Sequence, residues 1–153
     1  MADSFHIENI STADLPEGGF RTALKFWLEA KCDHRLPPAS AINPVKLPRA
    51  LLSRLIVVSV EPGPKRLRFR LVGTAIVDAV GYDFTGRFGE DVEGAGPTNE
   101  RFYRTMETKT PYFYGGPLTW SPFDFKRYKS LVMPFGDEQN AVVRFLSYTQ
   151  FEA

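Results

Sequence analysis

A single cysteine, Cys32, is all the thiol that 153 residues contain. That rules out an internal disulfide and a cysteine-cluster metal site, and makes a reducing, cytoplasmic setting the expectation. The only histidines are His6 and His34, far apart in sequence and with no plausible nucleophile beside them, so no triad is in sight. Neither sign of charge dominates: 19 Lys and Arg against 18 Asp and Glu leave a formal net charge of +1. Long-range electrostatics therefore draws the chain neither to nucleic acid nor to an anionic membrane. No apolar run approaches the roughly 18 residues of a membrane span, and the N-terminus lacks the basic start and apolar stretch of an export signal. The sequence also holds no GxSxG elbow, no GxxxxGK[ST] loop and no HExxH pair, so it offers neither a catalytic residue nor a metal site. What it has in plenty is apolar area: hydrophobic residues make up 43% and aromatics 14%, with 13 Phe. At this length that fits one globular domain with a substantial core.

Along the chain, residues 1–17 are polar and short of pattern and read as an arm, with residues 18–153 as a single domain. Phe20, Ala23, Leu24, Trp27 and Leu28 recur at the three-and-four spacing of an amphipathic helix over residues 19–31, with Arg21, Lys25 and Glu29 opposite. Pro37 and Pro38 forbid its continuation. Asn43 before Pro44 reads as the cap of a short helical turn.

Residues 52–60, LSRLIVVSV, form the first expected strand, apolar on both faces at its centre and so in need of cover on both. The helix carrying Trp27 or a partner subunit could supply it. Residues 67–72 alternate, with Leu67, Phe69 and Leu71 on one face and Arg68 and Arg70 on the other. Thr74 is placed to cap a two-turn helix that Gly81 ends in a left-handed conformation. Turns around anchored aromatics follow, then a helix opened by Gly96 and Pro97 and stopped before Pro111, with Phe102, Tyr103 and Met106 on its apolar face. Three strands close the chain at 112–118, 125–135 and 142–151, the first marked by Gly115 and Gly116 for a bulge or close approach. Strands at both ends of the domain with helices gathered between them give an α+β class with an antiparallel sheet.

The run Arg68-Phe69-Arg70-Leu71-Val72-Gly73-Thr74 through Gly81-Tyr82-Asp83-Phe84-Thr85-Gly86-Arg87 resembles the PAS-like sensor family, with Trp27 in a preceding helix and a proline-rich link over residues 37–48. The likeness spans roughly residues 20–150 and is closest to short stand-alone bacterial PAS-like proteins. It implies a five-stranded antiparallel sheet of spatial order 2-1-5-4-3, helices on one face, and an apolar pocket between them. Haem-binding members of the family usually place a His on the helix before the third strand, and the corresponding segment here has none. Light-oxygen-voltage receptors need a Cys beside the flavin, whereas Cys32 lies near the end of the N-terminal helix, where it reads as a small helix-end residue. The resemblance thus leaves the cofactor unknown and disfavours haem and covalently bound flavin.

On that frame the expected ligand-binding residues are Phe69, Leu71, Val77, Tyr82, Phe102, Tyr103, Met106, Phe113, Met133, Phe145 and Ser147, with Tyr82, Tyr103 and Ser147 as the polar members. The clustered carboxylates Asp78, Asp83, Glu90 and Asp91 sit among glycines and suit turn capping rather than acid-base work. Lys65, Arg66, Arg68 and Arg70 form one basic group and Lys126, Arg127 and Lys129 another, on strands that are not neighbours, so no continuous groove for nucleic acid is expected. The expected function is a non-enzymatic sensor or interaction module that binds a small apolar or amphipathic ligand and signals through association. Its partner would be a signalling protein or a second copy meeting at Phe20, Leu24, Trp27 and Leu28. The alternatives are a small α+β enzyme acting on a hydrophobic substrate and a ligand-free structural adaptor.

Overall fold

The structure is a computed structural model and describes residues 4–31, 33, 35–122 and 126–152. Cys32, His34 and the expected strand start at Phe125 lie outside the described residues. Nine regular elements carry the fold: β1 (Phe5–Glu8), α1 (Gly19–Ala30), β2 (Leu55–Val60), β3 (Leu67–Val72), α2 (Thr74–Val80), α3 (Gly96–Thr108), β4 (Tyr112–Pro117), β5 (Arg127–Gly136) and β6 (Val142–Glu152). The strands form one antiparallel sheet in the order β1-β4-β5-β6-β2-β3. Without β1 this is the expected five-stranded arrangement, numbered from the other edge. The sixth strand is a correction, because the segment read as an arm pairs with β4 in the register Phe5↔Gly115 to Glu8↔Tyr112. The four residues FHIE do alternate apolar and polar, but so short a run does not mark a strand by its period, and the pairing itself is made by backbone groups.

Sheet pairing divides the side chains between two covered faces, since cross-strand partners share a face. On one face α1 packs across β5 and β6: Phe20 meets Phe113 and Tyr148 with ring centroids 5.1 and 5.0 Å apart, and Phe26 meets Phe135 at 6.5 Å. The doubly apolar β2 therefore receives its second cover from its own chain. Phe20, Leu24 and Trp27 are buried in this contact, which removes them from any interface with a second copy; only Leu28 of that expected set is exposed. Gly19 makes the close approach possible, because a Cβ there would lie 2.0 Å from the Tyr148 hydroxyl oxygen.

Local details follow chemistry with a few displacements. β2 starts at Leu55 rather than at residue 52, because Arg49–Arg54 winds as a 3-10 helix. Near Pro44 the chain makes the expected short helical turn, with Lys46 and Leu47 N–H donating to the Asn43 carbonyl and Val45 N–H to its side-chain oxygen, all at 2.9 Å. Gly73, not Thr74, occupies the N-cap of α2, and Gly81 ends it in the left-handed region at φ 98°. Between β2 and β3 the register slips, so Val58 faces Phe69 while Val57 faces Leu71. This bulge breaks the alternation and turns Leu71 away from Leu67 and Phe69 onto the α1 side of the sheet edge, where it is exposed.

Candidate functional site

The opposite face of the sheet is roofed by α3 and the segment that follows α2. The sheet contributes Ile56, Phe69, Tyr112 and Tyr114, together with Tyr128, Ser130 and Val132 of β5 and Ser147 and Thr149 of β6. The roof contributes Phe84, Val92, Ala95, Thr98, Arg101 and Phe102, and Trp120 closes one end. They enclose a largely apolar cavity of about 30 Å³, room for about two water molecules and far below the roughly 300–1,000 Å³ of sites that hold drug-sized ligands. An isoalloxazine or a porphyrin does not fit among these side chains as they stand.

Two polar features interrupt the apolar lining. Ser130, Ser147 and Thr149 form a closed triangle of hydroxyls with oxygen separations of 2.8, 3.0 and 3.1 Å. Each can donate to the next, so the three satisfy one another. Among the described residues Arg101 is the only charged side chain in the lining. Its guanidinium lies 3.6 Å from the centroid of the Tyr114 ring and donates from one terminal nitrogen to the Thr98 hydroxyl and the Tyr128 phenol, both at 3.1 Å. The Arg101 Nε–H and the Trp120 indole N–H are both buried with no hydrogen-bond partner among the described residues. Burial pushes the Tyr112 phenol well above its ordinary range, against the pull of nearby Arg101, so it is a neutral group here.

Of the residues expected to bind ligand, Phe69, Phe102 and Ser147 line the cavity. Phe145 lies beneath it, packed on Phe102 at 4.9 Å. Phe113 and Met133 belong to the α1 face, because Phe113 packs on Phe20 and Met133 pairs with Leu146 between Leu131 and Phe135. Leu71 is turned out by the bulge, Met106 is half-buried packing outside the lining, and Val77 is half-buried and also outside it. Tyr103 donates its hydroxyl to Glu90 beyond the cavity; burial and then that carboxylate raise its phenol to about 12. Tyr82 stacks under the Arg87 guanidinium at 5.3 Å and lines an open surface groove. Arg101, Trp120 and the three tyrosines were not singled out from the sequence. A signal did exist, since Thr98, Arg101, Phe102 and Thr105 follow one helical stripe and Tyr128, Ser130 and Val132 follow period two.

The clustered carboxylates do turn and surface work. Asp83 accepts from the backbone and hydroxyl of Thr85, which lowers its carboxyl, and Asp91 pairs with Lys65 at 2.7 Å. The basic groups are largely met by acids, with Arg68 and Arg70 on Glu61 and Lys129 on Glu152. Among the described residues no group of three His, Cys, Asp or Glu is set to hold a metal ion, and no helix is long and apolar enough to cross a membrane.

An antiparallel sheet cupping short helices over a cavity is an α+β domain of the PAS type. Residues 19–90, 72 of the 153, match the family described as PAS domain, and over that segment the chain resembles PAS-like domains. Among solved structures, an RNA-binding light-oxygen-voltage receptor shares the fold with a TM-score of 0.59 at 12% identity, covering 98% of this chain and 39% of that one. The chain thus spans less than half the length of that receptor. A light-oxygen-voltage domain studied with a flavin analogue aligns with a TM-score of 0.50 at 13% identity, over 75% of this chain and 89% of that one. Likeness at this identity shows the fold alone, and Cys32, on which the sequence argument against covalent flavin turned, lies outside the described residues, so that argument is not supported by the structure. No curated protein matches the sequence.

Proposed function

We propose that the chain is a non-enzymatic PAS-like sensor module whose cavity, between the sheet and α3, takes a small largely apolar ligand and passes its occupancy to a protein partner. The observation that carries this reading is the pair of buried, unpartnered N–H groups of Arg101 and Trp120 in an otherwise apolar lining. A fully packed interior satisfies its donors, so donors left open in a cavity mark a place for a guest or for water. The α3 helix connects the cavity to the surface, since Arg101 also lines an outer groove with His6, Glu8, Pro97, Glu100 and Arg104. The ion pairs on the basic groups support a protein rather than a nucleic-acid partner.

The small volume of the cavity favours one competing reading, a ligand-free adaptor whose two open donors are met by buried water. Native mass spectrometry of freshly purified protein, followed by thermal denaturation against small apolar molecules such as toluene and indole, separates the two. An adduct mass or a saturable rise in the midpoint supports the sensor. A clean apo mass with no rise for any compound favours the adaptor.

A further inference from the structure

Arg101 poses an electrostatic question that its neighbours leave open. Arg101 is half-buried and reaches the outer groove, but its Nε–H is buried without a partner, and no described carboxylate lies within ion-pair distance of the guanidinium. In the adjoining groove, Glu8 is taken by Arg104. The groups that do surround Arg101 are neutral: the Tyr114 ring, the Thr98 hydroxyl and the Tyr128 phenol.

The second open donor is built into the same wall. Trp120 is 6% exposed, and its ring packs on that of Tyr128 with centroids 5.4 Å apart, so Arg101 and Trp120 share Tyr128 as a neighbour. The hydroxyl triangle across the cavity is satisfied internally, whereas these two N–H groups are not. An excess of donors beside an unpaired cation, with no acid in the lining, selects a guest that brings acceptors and negative charge. Aromatic and aliphatic walls select a guest whose remainder is apolar.

We propose that the cavity recognises a small organic carboxylate, its anionic oxygens meeting the buried N–H groups of Arg101 and Trp120 and its apolar part lying among the aromatic walls. This assignment rests on the cavity being the ligand site. The side chains must part to admit anything beyond the few atoms that the present space holds.

The test compares acetate, butyrate and benzoate with acetamide, butyramide and benzamide, which match them in shape and lack the charge. The chain has two tryptophans. The Trp27 indole is already committed to the Pro134 carbonyl at 2.7 Å, so its indole N–H resonance serves as an internal reference. At least one carboxylate is expected to shift the Trp120 indole resonance saturably while that of Trp27 stays in place, with its amide binding at least tenfold more weakly. Arg101→Met should abolish that preference, with the Trp27 indole resonance staying in place as the check that the variant is folded. Equal binding of acid and amide overturns the carboxylate assignment and leaves the cavity as a ligand site. Silence of the Trp120 resonance toward both acids and amides overturns the carboxylate assignment, and the toluene and indole melts then decide the sensor reading separately. The acid and amide comparison on the unaltered protein decides the matter even if the variant does not fold.

Discussion

Trp27, in the last turn of α1, donates its indole N–H to the backbone carbonyl of Pro134 in β5 at 2.7 Å, in a buried contact. β4 begins at Tyr112, which pairs with Val132, so Pro134 lies beyond the reach of β4. A proline is tolerated at this point of a long strand because no neighbour there asks for its missing N–H. The helix thus completes the sheet chemically as well as covering it.

Trp27→Phe retains most of the packing but leaves the Pro134 carbonyl buried and unpaired. It should cost about 1–3 kcal/mol in urea denaturation. Trp27→Glu should unfold the monomer at lower denaturant, with no effect on self-association by light scattering. Dissociation of a stable dimer by this change would instead place Trp27 at a subunit interface.

Gly19→Ala should destabilise by about 1–3 kcal/mol, because the new methyl falls on the Tyr148 ring and hydroxyl. Gly63→Ala lies in open space and tests only backbone strain at positive φ. The two variants, compared in guanidinium melts, separate steric overlap from conformational cost.

Removal of residues 1–9 strips β1 from β4, along with the Phe5 contact on Phe113 at 5.1 Å and the Glu8 pair with Arg104. Losing one buried aromatic contact should cost about 2 kcal/mol, or roughly 4–8 °C in the thermal midpoint. The freed edge of β4 should promote concentration-dependent association, visible by gel filtration with light scattering.

The Tyr103 phenol is raised from about 10 to about 12 by burial and by Glu90. A folded value above the unfolded one means that its contribution to stability is complete below about pH 10 and disappears as pH climbs through about 12. Tyr103→Phe should remove one late-titrating phenol from the alkaline absorbance titration. It should also flatten the fall in thermal midpoint over that alkaline window.

The strand order was legible because hydrophobic period and proline punctuation are local signals, and the family likeness supplied how strands so marked are arranged. β3 was bounded correctly at Leu67 and Val72, and Gly81 as the end of α2 followed from its freedom to adopt positive φ. β1 was missed because a short edge strand is held by backbone pairing. Leu71 was misplaced because one bulge reverses every later side chain. The cavity was only partly legible: Phe69, Phe102 and Ser147 were identified, while Arg101 and Trp120 read as an ordinary charged helix residue and an aromatic in a loop.

By itself, the sequence determined an α+β chain with an amphipathic first helix, a doubly covered central strand and no constellation of catalytic groups, since each of these is written in spacing along the backbone. Tertiary structure alone decided which face each aromatic serves, that α1 closes the sheet from its own chain, and that the Arg101 Nε–H and the Trp120 indole N–H are buried without hydrogen-bond partners among the described residues. Those outcomes depend on register and on contacts between residues distant in sequence, where a shift of one position moves a side chain to the opposite face.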